Sequence, residues 1–244
     1  MKGTNDGRRE LELLSHIAAT TNRRTFLKWS GVSFAVIATG CQADNALRTD
    51  NGSGPNAQQS GGPVSLGTGD VLVLNFALAL EQLEAAFYTR VTATPYSGIS
   101  QEEQQILEDL RKHEVIHRDF LKEALGPAAI PDLEFDFSSV NFSSRASVLG
   151  TAQVFEDTGV SAYNGAAKFL ENTDFLVTAG KIVSVEARHA AAIRDLLQPK
   201  TAFFAGDDVV NAQGLDIVRT PAQVATLVDP FIVTVIDTSA LPNS

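Results

Sequence analysis

Two Glu-x-x-His motifs, each preceded by a lone glutamate, constrain the fold of this chain more than any other feature. The motifs are Glu114 with His117 and Glu186 with His189, and the lone glutamates Glu81 and Glu156 lie 33 and 30 positions before them. Residues three apart leave one face of a helix, so each motif presents a carboxylate and an imidazole side by side. Both groups bind transition metals. The order Glu, Glu-x-x-His, given twice, is the ligand order of a di-metal site inside a four-helix bundle.

Either motif by itself has a simpler explanation, an ion pair on the surface of a helix. Two such motifs in one chain, each with its lone glutamate at a similar distance, favour the metal site. The ligand on the first helix has two candidates, because Glu81 and Glu84 share roughly one side of it. Glu81 is preferred because it follows a continuous apolar stretch. It also stands seven before Tyr88, as Glu156 stands seven before Tyr163.

The helical pattern predicts an all-α fold. A four-helix bundle is expected over residues 70–198, with one long crossover between helices two and three and a C-terminal extension over residues 199–244 that holds a short fifth helix. The helices are expected at residues 70–92, 100–125, 144–170 and 173–198, with the crossover at 126–143 and the fifth helix starting at Thr220 and Pro221. Asp70 and Ser100 are expected to cap helices one and two.

The positions of the glutamates relative to the turns give an independent argument. Glu81 and Glu114 lie at similar distances on either side of the first turn, and Glu156 and Glu186 do so around the second. At 1.5 Å per residue, antiparallel packing brings each pair to nearly one height. Four carboxylates would offset the charge of two divalent ions. Oxygen and nitrogen ligands without a thiolate suit iron or manganese.

Three stretches resemble a known family. Residues 75–88 (NFALALEQLEAAFY), 159–166 (GVSAYNGA) and 186–189 (EARH) are similar to the ferritin-like di-metal carboxylate proteins, in the branch that includes desiccation-related proteins. The resemblance implies that Glu114 and Glu186 bridge the two metal ions and that Glu81 and Glu156 bind at the ends. It implies one histidine per ion, His117 and His189. Tyr88 and Tyr163 would lie close by as candidate catalytic residues; the alternative for both is an ordinary core tyrosine.

The N-terminal part of the chain has the pattern of an export leader. Arg23 and Arg24, followed by a mildly apolar run up to Gly40, resemble a twin-arginine signal, and Cys41 resembles the lipidated cysteine of a lipobox. Residues 1–41 are therefore interpreted as the signal segment and residues 42–69, which have almost no large apolar side chain, as a disordered tether. The alternative for Cys41 is a free cysteine beside a simple cleavage site.

Charge and composition narrow the function. The formal charge is −10, and it becomes −13 without residues 1–40, which carry six basic and three acidic side chains. Such a surface repels nucleic acid. The chain is expected to be an exported protein of the periplasm or cell envelope that reaches the membrane only through a lipid anchor at Cys41. A homodimer is compatible with the sequence.

Two functions remain open at this point. In the first, the chain binds two ions of iron or manganese and reacts with oxygen or peroxide in stress protection, as a ferroxidase or a peroxide-consuming oxidoreductase. In the second, it is a non-catalytic ferritin-like envelope protein whose metal site is structural or vestigial. A tethered subunit fits poorly into a closed storage shell, so bulk iron storage is not expected.

Export is testable in cells. Replacing Arg23 and Arg24 together with lysine is expected to leave the precursor inside the cell, because the twin-arginine route reads the arginine pair. Fractionation followed by immunoblotting measures this. Normal export of the double variant would refute the assignment.

Overall fold

The structure, a computed structural model, describes residues 62–244. Its main elements are helices α1 (Gly69–Ala93), α2 (Gln101–Leu125), α3 (Arg145–Ala166), α4 (Thr173–Leu197) and the short α5 (Pro221–Val228). The prediction of an all-α fold with a short fifth helix is confirmed. α3 ends earlier than expected, because its last turn tightens into the 3₁₀ helix Ala167–Phe169. The signal segment, Cys41 and most of the tether lie outside the described residues.

Two helical hairpins make up the bundle. α1 packs against α2 and α3 against α4, and each pair is joined by a short turn. The buried stripe of α2 runs through Leu107, Leu110, Glu114, His117 and Leu121, at alternating spacings of three and four. The stripe of α4 follows the same rule at Ile182, Glu186, His189 and Ile193. Each Glu-x-x-His motif therefore occupies two positions that face the core.

α1 is the central helix of the bundle. It is apolar almost all round, and its residues 72–85 are all buried. By length and composition α1 could cross a membrane, but 89% of its most apolar window is buried inside the protein. α1 is therefore enclosed on most sides by the rest of the described protein.

Two amide side chains of α1 hold the crossover against the bundle. Asn75 donates to the carbonyl oxygen of Ala128 at 2.8 Å and accepts from the backbone N–H of Ile130 at 2.9 Å. One heptad further on, Gln82 accepts from the N–H of Leu133 at 2.8 Å. The crossover phenylalanines also pack, with the ring of Phe137 5.9 Å from that of Phe87, but the amides fix the backbone.

A two-stranded parallel sheet was not predicted. β1 (Val64–Ser65) pairs with β2 (Ile236–Asp237), and the next residue, Leu66, is buried in the core. Residues 64–66 had been included in the tether because their surroundings in the sequence are polar. The pairing partner lies some 170 residues away in the sequence, so no local pattern reveals it.

The cap of α1 also differs from expectation. Its N-cap is Thr68, which makes no side-chain capping bond. The carboxylate of Asp70 instead accepts hydrogen bonds from the N–H groups of Glu171 and Asn172, at 2.7 and 3.0 Å. Asp70 therefore ties the start of α1 to the turn between α3 and α4. At α2 the expected cap is present, because Ser100 accepts from the N–H of Glu103.

The C-terminal extension is fastened to the second hairpin. Arg194, which is only 1% exposed, forms ion pairs with Asp157 on α3 at 2.8 Å and with Asp208 in the extension at 2.6 Å. Further along, the guanidinium of Arg219 donates to the Ser161 hydroxyl at 2.8 Å. The carbonyl oxygen of Arg219 lies against Gly165, where a Cβ atom would collide with it.

This contact predicts opposite effects for two glycines of α3. Gly165→Ala is expected to destabilise the fold by about 1–3 kcal/mol, because the added methyl group must push the backbone at Arg219 away. Gly150 has open space where a Cβ would lie. Gly150→Ala is therefore expected to stabilise the fold by about 0.5–1 kcal/mol through helix propensity. Urea unfolding measures both, and equal effects of the two changes would contradict the described packing.

Candidate metal centre

The four long helices bring all six predicted ligands together in the core. We call this set the carboxylate–histidine cluster: Glu81 from α1, Glu114 and His117 from α2, Glu156 from α3, and Glu186 and His189 from α4. The four carboxylates are 0% exposed, and the histidines are 9% and 3% exposed. The similar distances to the turns predicted that these residues would meet, and the structure brings their ligand atoms close together.

The cluster divides into two groups of four that share two members. Glu81 and His117 belong to one group and Glu156 and His189 to the other, while Glu114 and Glu186 belong to both. Within each group the nearest ligand atoms lie within 4.8 Å of one another. This arrangement suits two neighbouring ions bridged by the shared carboxylates.

The atoms of the cluster face a common centre rather than one another. His117 Nδ1 lies 2.9 Å from Glu186 Oε1, and His189 Nδ1 lies 2.7 Å from Glu114 Oε1. Despite these short distances, both nitrogens and six carboxylate oxygens of the cluster have no aligned hydrogen-bond partner within residues 62–244. Buried polar atoms without partners are costly and rare in folded proteins. A pair of divalent cations would satisfy all of them.

The two tyrosines occupy the remaining oxygens of the outer glutamates. Tyr88 donates to Glu156 Oε1 at 2.6 Å, and Tyr163 donates to Glu81 Oε1 at 2.5 Å. Each tyrosine thus reaches the glutamate of the other hairpin. Burial and the nearby carboxylates hold the pKa of both phenols well above 10. Both tyrosines therefore remain protonated donors that fix the orientation of Glu81 and Glu156.

The buried charges shift the pKa values of the cluster in opposite directions. Burial opposes a charged imidazole, but the surrounding carboxylates outweigh it and raise the pKa of His117 to about 12 and that of His189 to about 11. Burial also opposes the charge on Glu114, yet the two histidines lower its pKa to about 2. At neutral pH, protons on the imidazoles thus offset carboxylate charge, and a metal ion would have to displace them.

Burial is the main influence on the pKa values of Glu81, Glu156 and Glu186. Burial raises the pKa of Glu81 to about 7 and also raises that of Glu156. It holds the pKa of Glu186 well above the usual range. The cluster therefore retains protons on some carboxyls whenever cations do not neutralise it.

Glu84 is a fifth buried carboxyl beside the cluster. It is 3% exposed, but it belongs to neither group of four. Burial and the neighbouring Glu186 hold its pKa well above the usual range, which favours its protonated, uncharged form. Its space comes from Gly159 on α3, where an added Cβ would approach Glu84 Oε1 to 3.2 Å.

His113 was not among the predicted site residues. Its Nδ1 lies 2.8 Å from His189 Nε2, the nitrogen that faces away from the carboxylates. Such outer partners orient a metal-binding imidazole and fix its tautomer. His113 has no glutamate three residues before it, so the motif search passed over it. Its position four before His117, on the same face of α2, was the available signal.

Comparison with known proteins agrees with this geometry. The model of the family described as "Ferritin-like domain" matches residues 69–199, which is more than half of the chain and covers all four long helices. The comparison with curated proteins finds no match to the chain. On the family match and on the bundle that carries the carboxylate–histidine cluster, the chain belongs to the ferritin-like family.

Proposed function

We propose that this chain is an exported ferritin-like protein that binds two divalent ions, iron or manganese, and reacts with oxygen or peroxide in stress protection. The ligands are Glu81, Glu114, His117, Glu156, Glu186 and His189. The resemblance to the desiccation-related branch supports the stress role.

One observation carries the metal assignment. Six carboxylate oxygens and two imidazole nitrogens of the cluster are buried together without aligned hydrogen-bond partners in the described part of the chain. A network built for stability alone would pair these atoms, because each unpaired buried group costs about 1–3 kcal/mol. Their arrangement instead leaves each free atom directed toward the place that a cation would take.

The protein groups have distinct tasks in this proposal. Two reduced ions, when bound, would supply two electrons, which with two protons reduce one peroxide to two waters. Glu114 and Glu186 would hold both ions, and His117 and His189 would each supply a neutral ligand to one of them. Tyr88 and Tyr163 keep the outer carboxylates in place, so they act as positioning residues in this scheme. The apolar core around the cluster excludes bulk water.

The site of action is also part of the proposal. The arginine pair at Arg23 and Arg24 would direct the chain to the twin-arginine route. Cys41 would then anchor it by a lipid in the periplasm or cell envelope. Oxygen and peroxide would be its small-molecule partners, with nucleic acid excluded by the negative charge.

The ligand assignment predicts different metal contents for two variants of α1. Glu81→Ala is expected to lose at least one ion per chain, because Glu81 supplies an oxygen to one group of four and anchors Tyr163. Glu84→Ala is expected to keep both ions with weakened affinity, since Glu84 is buried beside the cluster but belongs to neither group of four. Elemental analysis of the two purified variants measures this.

The two glutamates are matched controls for each other, because they lie one turn apart on α1 and both are buried. An emptied site in Glu84→Ala together with full occupancy in Glu81→Ala would reverse the assignment. Full occupancy in both variants would show that α1 supplies no ligand.

Catalysis predicts sustained oxidation of ferrous iron. The protein with its metal restored is expected to oxidise many Fe(II) ions per chain with oxygen or peroxide, and Glu114→Ala is expected to abolish this activity because Glu114 belongs to both groups. Glu108→Ala is the control, since Glu108 lies on the same helix but pairs with Arg111 at the surface. Absorbance of Fe(III) follows the reaction. Rates no higher in the wild-type protein than in Glu114→Ala would favour the structural or vestigial alternative.

A further inference from the structure

The two ends of the carboxylate–histidine cluster differ in how they are packed. Beyond Glu156 and His189, the next helical turn contributes Leu110, Ala152 and Ile193, each at most 5% exposed. The ring of Phe87 closes this end, 5.2 Å from that of Tyr88 and 5.1 Å from that of Phe155. The Glu156 end is therefore closed by buried apolar side chains.

The end beyond Glu81 and His117 is hollow. A cavity of about 180 Å³ lies there between the four helices. Ala77, Leu121 and Ile182 line it, and they stand four residues from Glu81, His117 and Glu186 respectively. The cavity thus occupies the layer next to the ligands.

Tyr163 connects the cavity to the cluster. Its side chain forms part of the cavity wall, and its hydroxyl donates to Glu81 Oε1 at 2.5 Å. A molecule in the cavity would therefore touch the residue that holds one of the outer ligands in place.

The cavity opens between α2 and α4. Its mouth is formed by Ala124 and Asp174, which are exposed, and by Phe120, Phe175 and Thr178, which are half-buried. Asp174 is the one charged residue among those that line the cavity. With no basic side chain in the lining, an anionic ligand would meet only repulsion.

We propose that this cavity is a binding site for a small uncharged apolar molecule, with the size of an aromatic ring or a short alkyl chain. Apolar cavities of about 150 Å³ stay dry and bind benzene or xenon, so the size and the lining both fit such a ligand. The binding itself does not require metal. A role of this ligand as a co-substrate, beside the ion at Glu81, rests on the function proposed above.

Benzene is the probe for this site. Benzene is expected to raise the melting temperature of the protein to a saturating value, because a ligand that binds only the native state stabilises it. Ala179→Leu puts a larger side chain into the cavity wall and is expected to weaken benzene binding at least about tenfold, equivalent to 1.4 kcal/mol. Ala192→Leu is the matched control, since Ala192 is half-buried on the same helix but does not line the cavity.

The outcomes separate this inference from the proposed function. Absence of a saturable benzene effect in the wild-type protein, or equal binding by Ala179→Leu, overturns the site. If Ala179→Leu does not fold, crystals of the wild-type protein pressurised with xenon provide the test. Xenon is expected in the cavity, and its absence would contradict the proposed site. The benzene titration is repeated after metal ions have been removed by chelation, and the same binding is expected because the binding itself does not require metal. Benzene binding without Fe(II) turnover overturns the proposed function alone, and turnover without benzene binding overturns the cavity site alone.

Discussion

Four carboxylates buried at the centre of a helical bundle must be neutralised, and much of this structure depends on that requirement. An isolated buried carboxylate is strongly disfavoured. Two imidazoles and two phenol donors surround the carboxylates, and burial raises the pKa values of carboxyls beside His117 and His189, such as Glu186, while the carboxylates raise those of the two imidazoles. Each of these retains or donates protons where cations would otherwise sit. This concentration of buried carboxyls and imidazoles is compatible with a di-metal site.

The rest of the fold keeps the cluster in register. Glu81 lies on α1, which is enclosed on most sides. The position of α1 is fixed by packing and by the hydrogen bonds between the crossover and the side-chain amides of Asn75 and Gln82. The second hairpin is fixed differently, through the ion pairs of Arg194. The crossover permits the two hairpins to face each other, and the C-terminal extension closes over α3 and α4.

Sequence reasoning succeeded where spacing determines geometry. A spacing of three placed Glu114 and His117 on one face of α2, and distance to the turns placed Glu81 level with Glu114 and Glu156 level with Glu186. It failed where distant segments meet. The pairing of β1 with β2, the hydrogen bonds of Asp70 to the α3–α4 turn and the clamp at Asn75 join residues far apart in sequence. Pattern within one helix cannot show these contacts. His113 was missed because it has no glutamate three residues before it, and its contact with His189 joins two helices.

The two hairpins resemble each other, but the resemblance breaks at Glu84 and Gly159, which stand three residues after Glu81 and Glu156 respectively. A second carboxyl at 159 would crowd Glu84 and Glu186, since even a Cβ there would approach the Glu84 carboxyl to 3.2 Å. The glycine therefore limits the carboxyls at and beside the cluster to five. Burial favours the uncharged form of Glu84, so the charge of the site would come from the other four carboxylates, and two divalent ions would balance it. The departure from symmetry thus preserves the neutrality on which the buried site depends.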